Sequence, residues 1–186
     1  MDSFRHITPG SRDTVSEEHV HIAEYDPAWP ARFEAERTLL ERVVAPWLEG
    51  GVHHVGSTAV HGLAAKPVVD IMVGVRDLEE ARAAIPVLAA ESYCYFPYRE
   101  YFHWFCKPSP QRREFHMYLI EPAHPQWHAR LAFRDWLRMH PETAAEYAAL
   151  KYELAARYSD DREAYTDAKV EFVERVVAQA LRGDLP

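Results

Sequence analysis

The residues best suited to chemistry lie in His54-Val55-Gly56-Ser57-Thr58-Ala59-Val60 and, a few residues on, Lys66-Pro67-Val68-Val69-Asp70-Ile71-Met72-Val73. They read as a strand, a Gly-Ser turn, a short helical or looped segment and a second apolar strand with a carboxylate near its start. A Gly-Ser turn opening a helix offers backbone N–H groups and a hydroxyl to an anion. Asp70 on the following strand is suited to a divalent cation bridging to that anion, since Mg²⁺ is usually held by one or two carboxylates plus phosphate oxygens. Lys66, extended ahead of Pro67, is available either to a phosphate or to Asp70. Further along, Glu114 and His116 stand at i and i+2, so on a strand they share a face. They are suited to act as ligands or as a base. The plainer alternative is a solvated Glu and a His within a buried hydrogen bond.

Two further pairs repeat one spacing, Tyr147 with Lys151 and Tyr165 with Lys169. At i and i+4 each pair shares a helix face, presenting a hydroxyl and an ammonium together, or a half-buried ring and a snorkelling lysine. Arg134 and Arg138 share a face beside Asp135, which reads as a structural ion-pair group with Arg134 the better substrate contact. Arg99, Tyr101, His103 and Trp104 read either as a stacking wall for a base or as core aromatics. His61 reads as a surface residue.

These residues need elements to hold them. Residues 1–19 are polar and carry Pro9 and Gly10, which predicts a loosely docked arm. Val20 to Tyr25 reads as a short strand, followed by Asp26-Pro27 at a helix start. The apolar spacing from Trp29 predicts a helix that Gly50-Gly51 would end. Val52 to Val55 and Val68 to Val75 read as two central strands. Leu78 to Ala90 reads as a surface helix with Pro86 as a kink or break. Tyr93–Phe96, Tyr101–Cys106 and Glu114–Ile120 read as three more strands. Helical patterns follow over Trp127–His140, Thr143–Tyr158 and Arg162–Leu181. The order predicts an α+β domain over 20–186, its mixed sheet within 20–125 and a helical bundle within 126–182.

Composition narrows the function classes. A net charge of −8 argues against a broad nucleic-acid surface, which needs clustered Lys and Arg. It leaves room for a small anionic substrate in a local basic pocket. No run reaches the roughly 18 apolar residues of a membrane span, and the N-terminal stretch lacks the apolar core of a signal peptide, so the expected location is cytoplasmic. Cys94 and Cys106 read as separate thiols, although neighbouring strands would let them face each other.

The run HVGSTAV…GLAAKPVVDI, with FRDWLRMHPETAAEYAALKYELA and DREAYTDAKVEFV, resembles the GrpB family, a branch of the nucleotidyltransferase superfamily. The resemblance spans about Val20 to Leu181. It implies a nucleotidyltransferase-like fold and metal-dependent transfer of a nucleoside monophosphate from a nucleoside triphosphate to a small acceptor. It implies that Gly56, Ser57, Thr58, Lys66, Arg134, Tyr147, Lys151, Tyr165 and Lys169 hold nucleotide or phosphate. Asp70, Glu114 and His116 would then be catalytic and would hold the cation, Mg²⁺ or Mn²⁺, with Zn²⁺ also compatible with a mixed O/O/N set. The superfamily places a second carboxylate two residues after the first; here that position is Met72. This departure also admits a non-catalytic nucleotide- or phosphate-binding module. Fusion of related domains to dephospho-coenzyme A kinase admits an accessory role in coenzyme A metabolism.

Overall fold

A computed structural model describes residues 19–183. The expected N-terminal arm therefore lies, apart from His19, outside the described residues.

The chain begins in extended backbone that makes one antiparallel bridge, Ala23 to Ala65, rather than the expected strand. Helix α1 (Trp29–Val43) follows. It ends well before Gly50-Gly51 because Ala45 precedes Pro46, whose ring disfavours helical backbone in the residue before it. The two glycines instead sit inside β1 (Leu48–Val55), at φ 77° and 89°, where the register shifts between Leu48 and Val52. The bulge needs residues that tolerate positive φ. After β2 (Val69–Val75) the expected helix over 78–90 is two pieces, a 3₁₀ turn over Glu80–Ala83 and α2 (Ala84–Ala90), with Pro86 in the first turn of the second. Strands β3 (Cys94–Arg99), β4 (Phe102–Pro108) and β5 (Arg113–Ile120) complete the sheet.

The five strands run in the order β1-β2-β5-β4-β3, so β1 is an edge strand and not a central one. The β2–β5 pair is parallel and the other pairs are antiparallel, which makes a mixed sheet of an α+β fold. Strand alternation divides the side chains between two layers. Ile71, Val73, Phe115, Met117 and Leu119 pack against Phe33 and Leu40 of α1 and Leu88 of α2. Met72, Trp104, Cys106 and Tyr118 form the opposite layer, where Trp127 joins them. Asp70 and His116 belong to this second face.

Four helices close the described chain: α3 (Pro125–Met139), α4 (Pro141–Arg157), α5 (Arg162–Asp167) and α6 (Val170–Leu181). The single helix expected over 162–181 is thus broken at Ala168-Lys169. Phe133 and Trp136 of α3, Tyr147 of α4 and Val176 of α6 make a separate core that also takes in Val60 and Leu63 beside the Gly-Ser turn. The bundle therefore docks on the face of the sheet that carries Asp70. Among the described residues, no helix is long and apolar enough to cross a membrane.

Candidate anion-binding site

Parallel pairing of β2 with β5 sets Asp70 beside His116, although 46 positions separate them in sequence. Their side chains meet, with His116 Nδ1 3.2 Å from Asp70 Oδ1. On the other side of the ring, Nη2 of Arg162, at the start of α5, lies 3.2 Å from His116 Nε2. A guanidinium can only donate, so Nε2 accepts and the ring proton on Nδ1 goes to Asp70. Burial pushes the His116 pKa down to about 4, against the opposing effect of Asp70 and helped by Arg162 and Lys66, so the ring is neutral. Burial alone would raise the Asp70 carboxyl, but the bond from His116 and the charges of Lys66 and Arg130 outweigh it and keep Asp70 below its usual range.

Gly56 lies against this carboxylate. Its backbone, at φ 71° and ψ −170°, is a conformation that side chains disfavour. A Cβ built there would stand 2.6 Å from Asp70 Oδ2. The turn that follows is a three-residue 3₁₀ segment, Ser57–Ala59, within the short helical or looped stretch expected there. The amides of Ala59 and Val60 are spent on Gly56 and Ser57 carbonyls. Two arginines of α3 brace the turn: Arg134 Nη1 donates to the His54 carbonyl at 3.0 Å, and Arg138 donates twice to that of Ala59, at 3.0 and 2.8 Å. Arg134 is also paired with Asp135, its Nε 2.7 Å from Asp135 Oδ1.

The remaining sequence candidates divide. Lys66 and Lys169 approach the ring of Tyr165 at 5.2 and 4.0 Å, and Lys169 lies within electrostatic reach of Asp70. Burial, reinforced by Arg162, pushes the Lys169 pKa down to about 8, with Asp70 opposing. Tyr147 hydrogen-bonds Ser57. Lys151, by contrast, is 1% exposed and donates to the Ala64 carbonyl, its ammonium over the Tyr147 ring. Thr58 is equally enclosed, with Oγ1 2.9 Å from His54 Nε2. Both side chains are enclosed and bonded within the loop region. Glu114 turns to Arg32 at 3.0 Å and Arg112 at 2.6 Å. It lies at the start of β5, where both guanidiniums are at hand, and it does not join Asp70 and His116.

The wall of Arg99, Tyr101, His103 and Trp104 is also split by strand alternation. Trp104 lies 5.1 Å from the His116 ring, whereas Tyr101 and His103 border a separate cavity of about 280 Å³ with Glu79 and Glu121. His61 is exposed, as expected, and packs its ring near Tyr25. Cys94 and Cys106 are register partners on β3 and β4 and both are free thiols.

Arg130 and Arg162 were not among the sequence candidates. Arg130 stacks over Tyr118 at 4.2 Å and acts on Asp70. The four-residue steps from Arg130 to Arg134 to Arg138 were a readable sign of one helix face.

The fold family implies a divalent cation, and the donor set is a poor match. The second carboxylate position is Met72, fully buried in apolar surroundings. Glu114 is engaged elsewhere, and the His116 proton occupies the line to Asp70. Among the described residues, no group of three or more His, Cys, Asp or Glu is arranged to hold a metal ion. The expected Asp70, Glu114, His116 ligand set is not assembled.

Comparison with known proteins places this geometry. A UPF0157 protein of Deinococcus radiodurans is 38% identical over 168 residues, 90% of this chain and 86% of that protein. A dephospho-CoA kinase of Mycolicibacterium paratuberculosis is 30% identical over 182 residues, 81% of this chain but 43% of that protein. The crystal structure of the conserved protein GrpB from Enterococcus faecalis matches with a TM-score of 0.82 at 30% identity, covering 89% of this chain and all 100% of that one. The family model described as GrpB protein matches residues 19–179, and the chain belongs to the GrpB family.

Proposed function

We propose that the Asp70 face of the sheet binds a nucleoside triphosphate and transfers its nucleoside monophosphate to a small acceptor. The observation that carries this reading is Gly56-Ser57 packed on Asp70 amid lysine and arginine side chains. Phosphoryl-type transfer depends on positioning and charge neutralisation, and these groups supply both. In the step proposed, an acceptor hydroxyl attacks the α-phosphorus and the bond to pyrophosphate breaks. Pyrophosphate leaves, and the acceptor proton passes to His116 Nε2 once Arg162 turns toward phosphate. Asp70 holds the His116 ring in the tautomer that this step needs.

Isothermal titration with the four nucleoside triphosphates tests the reading, followed by ³¹P spectroscopy for pyrophosphate in the presence of candidate acceptors. Affinity for at least one triphosphate is expected. Absence of affinity for all four would refute it.

Met72 favours a second reading, a nucleotide-binding module without transfer. The match to a dephospho-CoA kinase adds coenzyme A and its dephospho form as ligands to test. Under this reading, thermal midpoints rise with ligand by mass action while no pyrophosphate forms in any mixture.

A further inference from the structure

The chain has two cysteines, and the sheet sets them opposite each other. Cys94 opens β3 and Cys106 lies on β4 in antiparallel register, which the pairs Tyr95–Phe105 and Phe96–Trp104 continue. Register partners on neighbouring strands point to one face. Both thiols therefore stand on the face that carries His116, the next register partner of Cys106 on β5. There they pack with Met72, Trp104 and Tyr118. Directly opposed Cα atoms of an antiparallel pair lie about 4.5 or 5.5 Å apart. Both spacings fall within the roughly 4.4–6.8 Å that a disulfide spans, so a bridge needs side-chain rotation and little backbone movement.

The two thiols differ in access. Cys94 is half-buried on an edge strand, its Sγ 3.9 Å from the Pro108 carbonyl oxygen, while Cys106 is fully buried. Burial pushes the Cys106 thiol up to about 11, against Arg113 and with Cys94 adding to the rise, so it stays protonated at neutral pH. An oxidant arriving from solvent meets Cys94 first, with its partner already in place.

We infer that Cys94 and Cys106 close to an intramolecular disulfide under a hydroperoxide, with Cys94 the attacking thiol and Cys106 the resolving one. The Cys94 thiolate attacks one peroxide oxygen, the O–O bond breaks and hydroxide leaves to be protonated, which makes Cys94 a sulfenic acid. The Cys106 sulfur then attacks the Cys94 sulfur. The S–O bond breaks, and the hydroxyl leaves as water with the Cys106 proton. The two sulfurs give up two electrons in all, and the peroxide is reduced to water. The bridge ties the edge strand β3 to β4, beside the strand that carries His116. None of this chemistry depends on what the Asp70 face binds.

The experiment treats the reduced, folded full chain with an equimolar amount of hydrogen peroxide, quenches with an alkylating reagent, and reads intact mass and non-reduced peptide maps. Both cysteines are expected to lose alkylation together, with a mass about 2 Da lower as two hydrogens leave and with dithiothreitol restoring both thiols. The peptides carrying Cys94 and Cys106 should be found linked. In Cys94→Ser, Cys106 should oxidise at least about tenfold more slowly than in the unsubstituted chain. In Cys106→Ala, Cys94 should stop as a sulfenic acid that dimedone traps. Oxygen gained at Cys94 with Cys106 left free, bridges between two chains instead of within one, or Cys106 oxidising as fast without Cys94 would each overturn the inference. Circular dichroism checks folding, and the unsubstituted chain with Cys94→Ser decides the matter should the buried Cys106→Ala fail to fold.

Discussion

Replacing Gly56 by Ala perturbs the site and the fold at a single atom, and its cost can be worked from the structure. The residue at φ 71° and ψ −170° lies outside the regions that a side chain accepts readily, which costs about 1–3 kcal/mol. The added methyl would meet Asp70 Oδ2 at 2.6 Å and Asp70 Cβ at 3.1 Å, so the carboxylate must move. Overpacking of this kind costs a further ~1–3 kcal/mol. For a domain of this size each kcal/mol lowers Tm by about 2–4 °C, so a drop of about 4–24 °C is expected. Urea unfolding monitored by circular dichroism measures the free energy. Gly62 provides the reference: its φ is 76°, but nothing lies within 4 Å of the added Cβ. Gly62→Ala should therefore show the backbone contribution with little steric one. The sharper control is Gly56→Ala made in an Asp70→Ala background, where the carboxylate clash is gone. There the cost should shrink by about 1 kcal/mol or more, the coupling expected of residues in contact. Equal costs at Gly56 and Gly62, together with no coupling to Asp70, would refute the steric argument.

Two other predictions concern charges. Burial drives the Lys151 pKa from 10.5 to about 7 in the folded chain, helped by Lys169. Between those values the unfolded chain binds more protons, so stability rises with pH, by at most about 1.4 kcal/mol per unit for one group. Lys169 adds to the rise above about pH 8. The slope reverses near pH 10, where Tyr93, Tyr147 and Tyr165, whose pKa values burial raises, keep protons that the unfolded chain releases. Denaturant midpoints between pH 7 and 9.5 check this. Lys151→Met should flatten the rise, and a wild-type curve that falls over that range would contradict the assignment. Glu114→Gln removes two partly exposed ion pairs and should cost less than about 1 kcal/mol. It should leave nucleoside triphosphate affinity within twofold, and a larger loss would return Glu114 to the site.

The sheet was readable because its signals are local. Short apolar runs mark β2 and β5 as strands carrying Asp70 and His116, and Gly56 is marked by the turn it makes. What such runs do not carry is which strands pair. The meeting of Asp70 and His116 depends on β5 lying parallel to β2 after a hairpin of 94–108 has been threaded outside it. The same limit hid the fate of Glu114, whose strand position is right and whose partner Arg32 comes from α1. The break at Ala168-Lys169 has no glycine or proline to announce it. It places Lys169 over Tyr165 and leaves Arg162 on a separate short helix facing His116. Both are consequences of packing against the sheet, which helical periodicity does not encode.

Met72 connects the fold to the chemistry. In the nucleotidyltransferase superfamily pattern, a carboxylate at this position would share the load with Asp70. Here the side chain is fully buried with Val55, Trp104 and Tyr118, on the same face as Asp70 and two residues further along β2. A carboxylate in that layer would lose its hydration, and the cation nearest to it is Arg130, which stacks over the Tyr118 ring. The methionine instead packs into an apolar cluster beside Asp70 and His116, where charges interact more strongly than they would in water.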